Sequence, residues 1–110
     1  MTATKKSEGK IIDYTPGSAV SAGDVVVLGE IVAVATADIA ANVLGTLDVE
    51  GVFTFPKGVL STDAITAGAK LYWDASGEVV TTTASTHKVA GYAIAAAAAA
   101  TATVDVKLSR

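Results

Sequence analysis

Apolar residues fall in short bursts along this chain, each closed by glycine, proline or a polar pair. Val25 to Leu28 and Ile31 to Ala35 are two such bursts, separated by Gly29-Glu30, and Gly23 breaks the chain just ahead of them. β-Branched and aliphatic residues suit a pleated surface, and a two-residue gap suits a tight turn, so the stretch Ser18 to Ala35 predicts a β-hairpin. Before it, Lys10 to Tyr14 reads as a short strand and Thr15-Pro-Gly-Ser18 as a turn. After it, Leu47 to Glu50 and Val52 to Pro56 read as strands, with Phe53 and Phe55 on one face and Pro56 ending the segment or marking an edge. Lys70 to Asp74, the turn Ala75-Ser-Gly77 and Glu78 to Thr83 follow as strand, turn and returning strand. In Lys88 to Ile94, Gly91 allows a bend or a close backbone approach. Thr101 to Leu108 alternates cleanly: Val104, Val106 and Leu108 oppose Asp105 and Lys107.

Two segments admit two readings. In Thr36 to Thr46, Asp38 either caps one helical turn through Ala41 or lies in a loop returning to the next strand. In Ala95 to Ala100, alanine favours a helical turn, but six residues make a marginal one and both flanks look like strands, which favours a hairpin crossing the run. The sum is eight to ten short strands with at most one helical turn. This predicts an all-β single domain over residues 10–110, a small β-barrel or sandwich, with residues 1–9 as a flexible arm.

A weak internal repeat runs through this pattern. Ser18-Ala-Val-Ser-Ala-Gly and Asp63-Ala-Ile-Thr-Ala-Gly share an apolar anchor, a small Ala-Gly pair and a following strand, and Ala37-Asp-Ile-Ala-Ala41 is a looser echo. Gly23 and Gly68 occupy the same place in the two copies and are expected to tolerate substitution least.

Composition narrows the function. Hydrophobic residues make up 51%, but 22 of 110 are alanine and only 5% are aromatic. Such a core is thin, which suits a domain that gains stability from partner subunits. The net charge of -3 argues against a nucleic-acid surface, whose footprint is clustered Lys and Arg. Lys5, Lys6 and Lys10 form the one basic cluster, placed on the arm, where they are candidates to grip an acidic partner surface. The N-terminus lacks the apolar core of a signal peptide, and the longest uncharged run, Val89 to Val104, is too short and alanine-rich for a membrane helix. The expectation is a soluble protein made in the cytoplasm, with no membrane partner.

A search for chemistry finds none. There is no Cys, so no disulfide, thiolate metal site or Cys nucleophile. No phosphate-binding loop is present, since Gly68-Ala-Lys70 and Gly9-Lys10 lack its spacing. His87 is the sole histidine and reads as a surface-loop residue; Asp48, Glu50, Asp74 and Glu78 are scattered without calcium-loop spacing. No catalytic, cofactor or metal residue is assigned, and no enzyme is expected. Tyr72 and Trp73 point to opposite faces of one strand. Trp73 therefore reads as core or as a subunit contact.

Several segments together resemble the small tailed-phage proteins that decorate or cement the capsid. They are Val20-Ser-Ala-Gly-Asp-Val-Val-Val-Leu-Gly29, Ala37-Asp-Ile-Ala-Ala41 with Leu44-Gly45, and Glu50-Gly-Val-Phe53 with Pro56-Lys57. The rest are Ala64-Ile-Thr-Ala-Gly68 with Leu71-Tyr-Trp-Asp74, Ala90-Gly-Tyr92 and Val104-Asp-Val-Lys-Leu108. Asn42-Val43 departs from a pattern that usually continues with Gly and an acidic residue. Some members of this family carry a recombinase label, which implies a nucleotide site that this sequence lacks. The resemblance implies a protein of the virion's outer surface that bridges major capsid proteins, binds no cofactor and forms a homo-oligomer, a trimer first. It also implies an N-terminal arm able to add a strand to a capsid edge. Alternatives are another virion structural role, such as a head-fibre base or head–tail component, or a small ligand-binding β-barrel.

Overall fold

The computed structural model describes residues 2–5, 9–59 and 63–108. These form nine strands: β1 (Ile11–Tyr14), β2 (Val25–Leu28), β3 (Ile31–Val34), β4 (Gly45–Asp48), β5 (Val52–Pro56), β6 (Lys70–Asp74), β7 (Val79–Thr81), β8 (Lys88–Ala93) and β9 (Thr103–Leu108). They build two antiparallel sheets, in the orders β1-β4-β3-β2 and β5-β9-β8-β6-β7. The arrangement is a sandwich rather than a closed barrel. The five-stranded sheet nevertheless curls until its edges touch, through a parallel bridge between Lys57 and Val80.

The expected hairpin is present, with Leu28 paired to Ile31 across Gly29-Glu30 and Val25 paired to Val34. Both ambiguous segments are loops pinned by single bridges: Ile39 pairs with Val20, and Ala97 with Ile65. No α-helix occurs among the described residues. Alanine's helix propensity loses here because each loop exchanges backbone hydrogen bonds with a neighbouring turn. An isolated helical turn would leave its end groups unpaired.

The faint sequence repeat is a full structural repeat. Val20 and Ile39 exchange two backbone hydrogen bonds at 2.8 Å, and Ile65 and Ala97 exchange two at 2.8 and 2.9 Å. Gly23 N–H donates to the Ala35 carbonyl at 2.6 Å, as Gly68 N–H does to Ala93 at 2.7 Å. Asp24 and Ala69 accept from the same two alanines at 2.9 Å, and their own amides donate to Ser21 and Thr66. Val43 closes onto Ala40 as Thr101 closes onto Ala98. The hairpin registers also correspond: Val25↔Val34 and Val26↔Ala33 in the first copy match Lys70↔Tyr92 and Leu71↔Gly91 in the second. Each sheet is thus one copy of a four-stranded unit, with β5, β9, β8 and β6 taking the places of β1, β4, β3 and β2. β7 has no counterpart.

The copies share one core. Val32 and Val34 of the first sheet pack with Phe55, Leu71, Trp73, Val80, Val104, Val106 and Leu108 of the second. Phe55 and Trp73 meet edge-to-face, ring centroids 5.9 Å apart. Burying each such side chain stabilises the fold by about 1.5–3 kcal/mol. A smaller cluster, Ala33, Ala35, Ile39, Leu47 and Val49, covers the other face of the first sheet. The expected alternation in the last strand holds: Val104, Val106 and Leu108 are buried and Asp105 and Lys107 exposed.

Two local features fit the sequence reading. A Cβ at Gly91 would lie 1.9 Å from the Lys107 carbonyl oxygen, which is the close backbone approach expected there. The β6–β8 register shifts between Leu71 and Tyr72, a bulge that places Ala90 opposite no partner. Asn42 has φ 62, and its N–H donates to the Pro16 carbonyl. Asparagine tolerates this left-handed conformation, so the departure from the family pattern keeps the turn.

Candidate functional site: an acidic groove beside an open sheet edge

The edges of the second sheet guard each other through Lys57 and Val80, whereas among the described residues β1 and β2 end the first sheet without a further strand. Alternation in an antiparallel pair turns the peptide groups of every second residue away from the partner. Leu28 and Val26 bond to β3, so the N–H and C=O of Val25 and Val27 face outward.

A groove of about 580 Å³ runs along this edge, lined by Val20, Gly23 to Val27, Pro56, Trp73 and Glu78. A small apolar recess continues it past Val25 and Pro56 towards Phe53 and Phe55. At the other end it passes Val27 and Trp73 into a second hollow lined by Asp74, Ser76, His87 and Lys88. The first stretch carries two carboxylates, Asp24 and Glu78, and no basic side chain. Glu78 holds a left-handed backbone, φ 54, at the end of the β6–β7 turn. Lys88 pairs with Glu30 across the hairpin tip and ties the two sheets together.

Each side chain singled out from the sequence has a definite place. Trp73 is buried, 8% exposed, and forms the groove floor while packing in the core. Lys5 and Lys10 are exposed and do not line the groove; Lys6 lies outside the described residues. Gly23 and Gly68 have φ 92 and 81 with open space where a Cβ would stand, so their constraint is conformational only, and they are not the least tolerant positions: a Cβ at Gly91 would meet backbone at 1.9 Å. Asp74 accepts from Ser76 N–H, Ser76 Oγ and Gly77 N–H, at 3.1, 2.9 and 3.2 Å. The Gly77 amide first, then the Ser76 hydroxyl, hold its carboxyl below the usual value. His87 is half-buried in its loop, its amide donating to Ala84. No group of three potential metal ligands occurs among the described residues.

Sequence reasoning missed Lys57. It is 4% exposed, and its ammonium donates to the carbonyls of Gly58, Ala98, Ala99 and Thr101 at 2.8–3.1 Å. An alanine loop has no side chains to satisfy its own carbonyls, so a lysine from another segment does it. The available signal was a single lysine between Pro56 and Gly58, at the end of an aromatic strand.

The fold is an all-β module of two sheets with a groove along one sheet edge. The chain matches the family described as phage cement protein over residues 6–108, and it belongs to that family. Its role is therefore phage capsid-associated and structural. No curated protein and no solved structure matches it.

Proposed function

We propose that this protein is a capsid cement protein that binds the outer surface of the head and ties neighbouring major capsid proteins together. The observation that carries this reading is the family match across residues 6–108. The fold agrees with it: a rigid double sheet with exposed aliphatic side chains, among them Leu44, Val52 and Val59, offered to a partner. The protein acts as a homotrimer made in the host cytoplasm, uses no cofactor and catalyses no reaction. Its mechanism is mechanical. A ligand that binds only the assembled shell stabilises that shell by mass action, by about 2.7 kcal/mol per site at a hundredfold excess over Kd.

The test is to add purified protein to heads that lack it. Saturable co-sedimentation and a higher temperature of genome release are expected. Heads that bind no protein at any concentration contradict the reading.

A further inference from the structure

The internal repeat reveals what one edge of the molecule lacks. In the second copy, the outer edge of β6 is covered by β7, with Tyr72↔Thr81, Trp73↔Val80 and Asp74↔Val79 in antiparallel register. In the first copy, the equivalent strand β2 ends its sheet. The positions matching Tyr72 and Trp73 are Val27 and Leu28. Asp74 corresponds to Gly29 in the β2–β3 turn, so the two edges coincide at Val27, and β2 leaves the outward peptide groups of Val25 and Val27 to a strand.

We infer that β2 accepts the N-terminal segment Thr2–Lys5 of a second copy of this chain, added as an antiparallel fifth strand. Two observations select this occupant. The groove beside β2 is lined by Asp24 and Glu78 and holds no basic side chain, while the segment carries Lys5 and is exposed. Thr2-Ala-Thr-Lys5 has four residues against three in β7 and, like β7, contains no proline. Strand addition supplies main-chain hydrogen bonds for affinity and a groove for specificity. The segment precedes β1, at the opposite edge of the same sheet from β2, so each copy donates from one edge and accepts at the other. Such a head-to-tail contact closes into a ring when the rotation allows, which a trimer satisfies.

This inference deepens the trimer reading and rests on it, but not on capsid binding, because its readout is the free protein. The chain contains no cysteine, so a Thr4→Cys, Val27→Cys variant forms a disulfide only where the inferred contact brings those positions together. Expected is an intermolecular cross-link under mild oxidation, absent from either single variant. Sedimentation of the full chain should give an oligomer. Deleting residues 2–5 should weaken it at least about tenfold, which corresponds to 1.4 kcal/mol. Lys5→Glu should weaken it too, and Lys5→Glu with Glu78→Lys should restore it. A trimer unchanged by the deletion overturns the inference while leaving the trimer standing. A monomer at all concentrations overturns both. A deletion that leaves the mass unchanged but abolishes binding to heads assigns the segment to the capsid and overturns self-docking.

Discussion

The two copies of the four-stranded unit keep the same backbone hydrogen bonds and hold them by opposite chemistry. In the first, carboxylates satisfy loop amides: Asp24 accepts from Ser21 N–H at 3.0 Å, and Asp38 from Ala22 N–H at 2.8 Å. In the second, alanine stands at the place of Asp24, and the ammonium of Lys57 satisfies loop carbonyls instead. The first solution is exposed and tolerant. The second is buried and costly to disturb. The lesson is that this fold requires each turn-and-loop pair to be closed, not any particular side chain to close it.

The sharpest way to break the comparison is at Gly91, which corresponds to Ala33 of the first copy. Gly91→Ala places a Cβ against the Lys107 backbone and should cost more than about 4 kcal/mol or prevent folding. Ala33→Gly should cost only about 1 kcal/mol. Chemical denaturation of both variants checks the contrast. Next in size is the loop chemistry. Lys57→Met leaves four part-buried carbonyls without their donor and should cost about 2 kcal/mol, whereas Asp38→Ala, at an exposed acceptor, should cost about 1 kcal/mol. Equal losses would show that the two closures are not as different as their burial implies.

Gly23→Ala and Gly68→Ala sharpen the comparison from the other side. Both positions have positive φ and open space, so each change should cost about 1 kcal/mol, and the two should agree closely. A large disagreement in melting experiments would argue against structural equivalence. The smallest effect belongs to the β6–β7 turn, present only in the second copy. Hydrogen bonds from Gly77 and Ser76 lower the Asp74 pKa. Its contribution to stability is therefore full above the ordinary carboxylate value and is lost as pH falls through the lowered folded value. Asp74→Asn should remove that acid-side dependence, measured as melting temperature against pH: the variant lies slightly below the parent at neutral pH and converges with it in acid.

Much of this architecture was legible in the sequence because its strands carry local signals. Val104, Val106 and Leu108 alternate with charges, and the Gly29-Glu30 gap specifies a hairpin. The repeated Ala-Gly turn is visible at both Gly23 and Gly68. What the chain did not reveal is long-range. Ala97 gives no hint that it mirrors Ile39, because the bridge uses backbone groups common to every residue. Lys57 gives no hint of its acceptors some forty positions later. The groove was only half visible. Trp73 was marked by its type, but Asp24, Val27 and Glu78 become neighbours of it only once the two sheets pack.

Whether this chain cements a capsid is answered most directly by electron cryo-microscopy of heads lacking it, imaged before and after its addition. The account predicts saturating new density on the outer surface, at junctions between major capsid proteins. Particles that look the same before and after would contradict it.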